Sequence, residues 1–362
     1  MTATASTATQ TPVGVGRPLP QNLVDWPRLV YPDNPRPVAV DGTDQPLAED
    51  VVRQFQAYNS RVGPLMTDDV IRVRRAIEQA HFENEHSSLA GQRCVVVDGP
   101  PLVGKTHAVL SVAFRETREI WNKHPPVDLD PHADSGDDHD GGASGERVRR
   151  IPWSYIEISA ASRQFGVLSG IHRFCGIPQG SRDKASDLLA RLRHIAPHIG
   201  LRGVIIDDAH GIAGGRQRES ALLADILKSV ITGLPATVVI IGANLGLSGV
   251  LDGSLGEQVR GRSLWTELGN WPVPSKGKPP GPWERLASNL TKHLAFPGGP
   301  AQRHLDRRST VMAIAEGSHG RPGLAIEWVK AAANHAIAHD TVLDVVALEA
   351  THRDWEGKAI PR

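Results

Sequence analysis

Gly99-Pro100-Pro101-Leu102-Val103-Gly104-Lys105-Thr106 is the run of this chain whose residue types and spacing can do chemistry most directly. Two glycines separated by four residues and followed by Lys-Thr let backbone N–H groups close around an anion. The lysine is suited to phosphate oxygens and the hydroxyl to Mg2+. The flanks agree with this reading, since residues 94–98 form a short β-rich run and residues 107–123 have helical character. A strand, a tight loop and a helix in that order aim the N–H groups and the helix N-terminus at the phosphates of a nucleotide such as ATP. Lys105 is expected on the β- and γ-phosphates and Thr106 on Mg2+.

A second constellation completes the first. Val204-Ile205-Ile206-Asp207-Asp208 is an apolar strand ending in two carboxylates. Beside a phosphate loop, the first acid of such a pair helps to hold Mg2+ and the second polarises the attacking water. Asp207 is therefore assigned to the metal and Asp208 to the water. Glu is commoner at the second place, and Asp is one methylene shorter, a departure that bears on hydrolysis rather than on binding. Asn244 follows the next strand and sits where it could orient water, although Asn is also favoured in strand-end turns. Arg260 and Arg262, in Gly256-Glu257-Gln258-Val259-Arg260-Gly261-Arg262, are candidates for an arginine that a neighbouring subunit lends to developing phosphoryl charge. A surface arginine pair would look the same. Arg321, in Gly317-Ser318-His319-Gly320-Arg321-Pro322-Gly323, either reaches the nucleotide from a second domain or belongs to a structural helix entry.

The elements that must position these groups alternate. Thr67-Asp68-Asp69 caps a helix to about His86, with Val70, Ile71, Val73, Ile77 and Ala80 on its apolar stripe. β-rich runs are read at 94–98, 151–158, 203–207, 237–242 and 264–268, with helices at 165–175, 182–194 and 216–232. That alternation predicts an α/β fold with a parallel sheet covered on both faces. After the Pro-rich stretch 272–282 the pattern is wholly helical, at 283–294, 310–316, 324–339 and 342–352. Residues 1–50, rich in Pro, Thr and Asp, read as an extended, largely unpacked arm. The expected organisation is thus an arm (1–50), a nucleotide-binding α/β domain (51–275) and a helical lid domain (276–362). Residues 125–146 carry Asp128, Asp130, Asp134, Asp137, Asp138 and Asp140 among Gly, Pro and His. They show no metal-ligand spacing and read as an acidic disordered insertion.

Bulk properties exclude several classes. The 362 residues contain 40 basic and 40 acidic side chains, so a nucleic-acid contact would need a local patch. Cys94 and Cys175 cannot build a disulfide framework and suit a reducing cytosol. No apolar run approaches a membrane span, and Met1 to Gln10 lacks the pattern of a signal peptide, so the expected location is cytoplasmic without a membrane partner.

In this order the motifs resemble an AAA+ ATPase, and more narrowly the transposition-regulator ATPases of the TniB/TnsC type. The resemblance covers about residues 65–350. It rests on the capped helix before the phosphate loop, Phe174-Cys175-Gly176-Ile177-Pro178, and Asp207-Asp208-Ala209-His210 where that family usually shows Asp-Glu-x-His. Arg260-Gly261-Arg262 and the segment from Glu316-Gly317 into an alanine-rich helix complete it. The resemblance implies an AAA+ sheet with a C-terminal helical lid, and an ATPase that assembles with itself on double-stranded DNA as a ring or filament. It also implies a transposase partner that the assembly recruits or stimulates, with hydrolysis as the reset. The competing classes are a helicase-loader-like ATPase, a signalling-switch P-loop ATPase and a clamp that holds ATP without hydrolysing it. Origin binders usually add a winged helix, and about ten residues beyond His352 are too few for one.

Overall fold

A computed structural model describes residues 23, 25–32, 34–39, 47–86, 92–124, 150–158, 164–209, 227–246, 253–275 and 281–359. The acidic insertion 125–146, His210 and the first part of the helix read at 216–232 lie outside the described residues. In chain order the elements are α1 (Trp26–Val30), α2 (Glu49–Ser60), α3 (Asp68–His86), β1 (Cys94–Asp98), α4 (Lys105–Lys123), β2 (Trp153–Glu157), α5 (Gln164–Phe174), α6 (Ala185–Ile199) and β3 (Gly203–Asp207). There follow α7 (227–233), β4 (Thr237–Ile241), α8 (Gly253–Arg262) and β5 (Ser263–Glu267). The chain then turns wholly helical, with α9 (Pro282–His293), α10 (Arg308–Gly317), α11 (Pro322–Ala338) and α12 (Val345–Ala359).

The five strands form one parallel sheet in the order β2-β3-β4-β1-β5. β1, β3 and β4 are buried along their whole length, as a parallel sheet covered on both faces requires. Their Val- and Ile-rich runs are why: β-branched side chains pack well on a pleated surface that never meets water. α4 buries Ala108, Val109, Val112, Ala113 and Thr117, one stripe at helical spacing, and so holds the phosphate loop rigidly to the sheet. α3 packs on α4 and on β1, β4 and β5. Its start follows the expected cap, the Thr67 hydroxyl accepting the Val70 N–H at 3.3 Å.

Two expectations need correction. The first concerns the arm. Within it, α1 buries Trp26 completely, edge-on to Phe114 at 5.0 Å and Phe174 at 5.4 Å, and the indole N–H donates to Thr117 Oγ1 at 3.2 Å. Trp26 and Val30, both fully buried, anchor a five-residue helix that its Pro-rich neighbours disguise. The second concerns α2, which was placed with the nucleotide domain. Phe55 belongs instead to a separate hydrophobic cluster built from α9, α10, α11 and α12. Asn59 closes this junction: its amide N–H donates to Ala295 O at 2.9 Å, and its Oδ1 accepts the Ala295 N–H at 2.8 Å.

Both cysteines are buried and unpaired. Burial pushes the Cys94 thiol up, and that of Cys175 up to about 12, so neither offers a thiolate. Among the described residues no helix is long and apolar enough to cross a membrane.

Candidate functional site

The phosphate loop sits between the end of β1 and the start of α4, at the C-terminal edge of the sheet, where ligands of open α/β sheets bind. Its backbone needs its glycines. Gly99 has φ 144°, and a Cβ there would lie 1.9 Å from Leu268 O. Gly104 has φ 95° and caps α4. Leu102, at the exposed tip, adopts φ 65° without being glycine. Lys105 folds back so that Nζ donates to Gly99 O at 2.7 Å and Pro100 O at 2.8 Å. Burial lowers its pKa, against the opposing pull of Asp98, Asp207 and Asp208.

β3 delivers Asp207 to the same place. Its Oδ2 accepts hydrogen bonds from Thr106 Oγ1 at 2.8 Å and from the Tyr155 hydroxyl at 2.8 Å, and its Oδ1 accepts the Asp208 N–H at 2.8 Å. The carboxyl is only 3 % exposed. Its pKa is raised, chiefly by burial and further by Asp208, while the three hydrogen bonds pull it down. Burial first, and the Asp207 charge second, push the Tyr155 phenol well above its ordinary value, so it acts as a donor throughout.

Thr106 and Asp207 supply two hard oxygens within one hydrogen bond of each other. Mg2+ takes such a set when phosphate and water complete its shell. Among the described residues there is no group of three or more His, Cys, Asp or Glu that would make an all-protein cage, and the donor set fits a cation shared with phosphate.

A cavity of about 440 Å³ joins these groups. Phosphate-loop residues 101–106, Asp207, Asp208 and Ala243 line it, with Thr67 and Asp69 from the start of α3 and an apolar wall of Leu65, Val70 and Ile326. α11 closes one side through Pro322, Gly323 and Glu327. The Leu324 N–H donates to Leu102 O at 3.1 Å, so the lid helix begins on the phosphate loop itself. That approach requires glycine: a Cβ on Gly323 would stand 2.5 Å from Leu102 O and 3.0 Å from Gly104 N.

The remaining candidates fall in three places. Asp208 lines the cavity, exposed, with φ 54°. Asn244 is exposed with φ 53° and directly follows the cavity-lining Ala243, beyond β4, the strand between those bearing the loop and the acids. Arg321 is the N-cap of α11, one residue before the cavity wall. Arg260 and Arg262 are not brought to the cavity. β5 runs parallel to β1 with Ser263 beside Cys94, which puts Arg262 at the far edge of the sheet, about 16 Å of strand from the loop, whereas the Arg260 side chain extends toward Trp265, the partner of Val96. Arg260 is exposed, its guanidinium 5.9 Å from the Trp265 ring.

Residue reading missed Tyr155, Asp98 and Gly323. Tyr155 carries a hydroxyl in a mostly buried strand, Asp98 is an acid directly before the loop glycine, and Gly323 is the second residue of a helix. Each was visible as an oddity, but its partner is distant in sequence.

No protein-family model matches the chain, and no curated protein matches it. Solved structures do. The Aeropyrum pernix ORC2 protein in ADPNP and ADP complexes aligns with a TM-score of 0.53 at 13 % identity, covering 92 % of this chain and 72 % of that one. Drosophila ORC bound to DNA gives 0.51 at 14 %, covering 87 % and 69 %. The Aeropyrum pernix ORC1 protein in complex with DNA gives 0.50 at 13 %, covering 90 % and 68 %. The likeness is one of fold: these structures share with this chain a parallel α/β sheet flanked by helices. The likeness does not single out the transposition-regulator branch.

Proposed function

We propose that this chain is an ATP-hydrolysing AAA+ protein that assembles with copies of itself on duplex DNA and, in that state, recruits or activates a transposase. The observation that carries the nucleotide part is the convergence of Lys105, Thr106, Asp207 and Asp208 on one cavity under the first turn of α11. In this reading the triphosphate lies along the loop N–H groups with Lys105 on the β- and γ-phosphates, and the apolar wall of Leu65, Val70 and Ile326 receives the base. Thr106 and Asp207 hold Mg2+, which supplies charge neutralisation for the phosphates when bound. Asp208 orients a water and takes its proton, Asn244 helps to place that water, and Arg321 follows the lid toward the nucleotide. Catalysis of this kind is positioning and electrostatics, so groups held by a rigid frame suffice. Arg260 or Arg262, neither of which lines this cavity, would act from a neighbouring copy.

The DNA and transposase parts rest on the order of motifs shared with the transposition regulators. A second reading, a replication-type loader, is favoured by the likeness to ORC structures, two of which are bound to DNA. Sedimentation with duplex DNA and a non-hydrolysable ATP analogue, ADP or no nucleotide tests the common core. Large complexes only with the analogue and DNA are expected, and a monomer in all three conditions would refute assembly. Stimulation of turnover by a transposase rather than by a replicative helicase then separates the two readings.

A further inference from the structure

Asp98, the last residue of β1, has no part in the roles above. It is 7 % exposed and lies beside the phosphate loop, where a carboxylate repels the anion that the loop is built to hold. Burying such a group is costly unless hydrogen bonds compensate. Three do, all from backbone N–H groups: Gly99 to Oδ1 at 2.7 Å, Leu245 to Oδ1 at 2.9 Å and Gly246 to Oδ2 at 3.2 Å. Gly99 opens the phosphate loop. Leu245 and Gly246 are the two residues after Asn244, whose left-handed φ of 53° turns their consecutive N–H groups onto one acceptor, a backbone nest. On the other side of the turn, the Gly242 N–H donates to Val97 O at 3.2 Å. The short turn that carries Asn244 is therefore tied at both ends to β1 and the phosphate loop.

We propose that Asp98 is a positioning residue for hydrolysis, holding the 243–246 turn, and with it Asn244, at a set distance from the phosphate loop. The proposal rests on the reading above in which Asn244 places the attacking water. A carboxylate accepts from several N–H donors at once, which an amide of the same shape cannot, because its NH2 end meets a donor. The unfavourable charge beside the phosphates is then the cost of fixing the turn.

Asp98→Asn gives two effects of opposite sign, which a merely structural residue would not. Turnover at saturating Mg2+-ATP should fall about 10- to 100-fold, the scale expected when a reacting group is displaced by about 1 Å. Affinity for a fluorescent ATP analogue should hold within about threefold or tighten, because a negative charge near the phosphates is gone. Asn244→Ala should slow turnover likewise, and the double variant should be no slower than Asn244→Ala alone, since one residue acts through the other. Unchanged turnover in Asp98→Asn, additive losses in the double variant, or a parallel loss of affinity, turnover and Tm would each overturn the proposal. An unaltered chain that turns over no ATP with Mg2+ and duplex DNA would remove the proposed function and this inference with it. That outcome is distinct from an active chain indifferent to Asp98→Asn.

Discussion

Replacing Tyr155 by Phe removes one hydroxyl from the carboxylate that the site depends on most and leaves the packing of β2 almost unchanged. The phenol donates to Asp207 Oδ2 at 2.8 Å in a buried setting, and Thr106 is the other side chain bonded to that oxygen. A hydrogen bond to a charged group contributes about 1.5–3 kcal/mol, and that is the loss of folding stability expected at pH 7. The loss depends on pH in a definite direction. Asp207 has its carboxyl raised above the ordinary value of 3.8, mainly by burial, so its own contribution favours the fold most at low pH and is lost as pH rises through its titration in the folded protein. The Tyr155 bond offsets that loss by favouring the ionised form. The gap between Tyr155→Phe and the unaltered chain should therefore be widest at neutral pH and close as pH falls below the titration of Asp207. Denaturant unfolding at a series of pH values reads this directly. In the proposed reading Asp207 holds Mg2+, and a partner behind such a carboxylate is typically worth about 10- to 100-fold in metal affinity or activity. Mg2+-dependent nucleotide binding should weaken by that factor, while binding without metal holds. A stability change under about 0.5 kcal/mol at every pH, together with unaltered Mg2+ dependence, would refute the reasoning.

Three further perturbations probe other parts of the frame. Gly323→Ala puts a methyl 2.5 Å from Leu102 O and should wedge α11 off the phosphate loop, and titration with an ATP analogue should show about tenfold weaker binding with a Tm within a few degrees of normal. Trp26→Ala empties a fully buried site and should cost about 3–5 kcal/mol in denaturant unfolding; a loss under about 1 kcal/mol would mean that the segment before α2 is unpacked after all. Asp208→Asn keeps the cavity lining but removes the proposed base, so ATP binding should persist while turnover stalls and assemblies stay on DNA; normal turnover would dismiss Asp208 from that role.

What the sequence made legible is what local chemistry encodes. The phosphate loop, the acid pair after an apolar strand and the Thr67 cap are patterns of a few residues, and each lies where its pattern puts it. The parallel sheet was readable because buried strands must be apolar throughout, which separates them from amphipathic helices. Trp26 was not, because its partner Thr117 stands 91 residues away and the neighbours of Trp26 read as loop. The packing of α2 was not legible for the same reason: the carbonyl and N–H that fix Asn59 are 236 residues further on. Periodicity says that a face is buried and not against which element.

The contacts that sequence alone could not pair are the ones that make the site a single body. Thr106 joins α4 to β3 through Asp207, and Tyr155 joins β2 to the same oxygen. Asp98 joins β1 to the turn after β4, and Leu102 O joins the phosphate loop to α11. Every element bearing a candidate group except α8 is thus one or two hydrogen bonds from the phosphate loop. A ligand that displaces Lys105 from Gly99 O and Pro100 O acts on the loop whose Leu102 O meets α11 and whose Gly99 N–H shares Asp98 with the turn after β4. α8 makes none of these contacts, and its arginines enter the site only through the proposed assembly of copies.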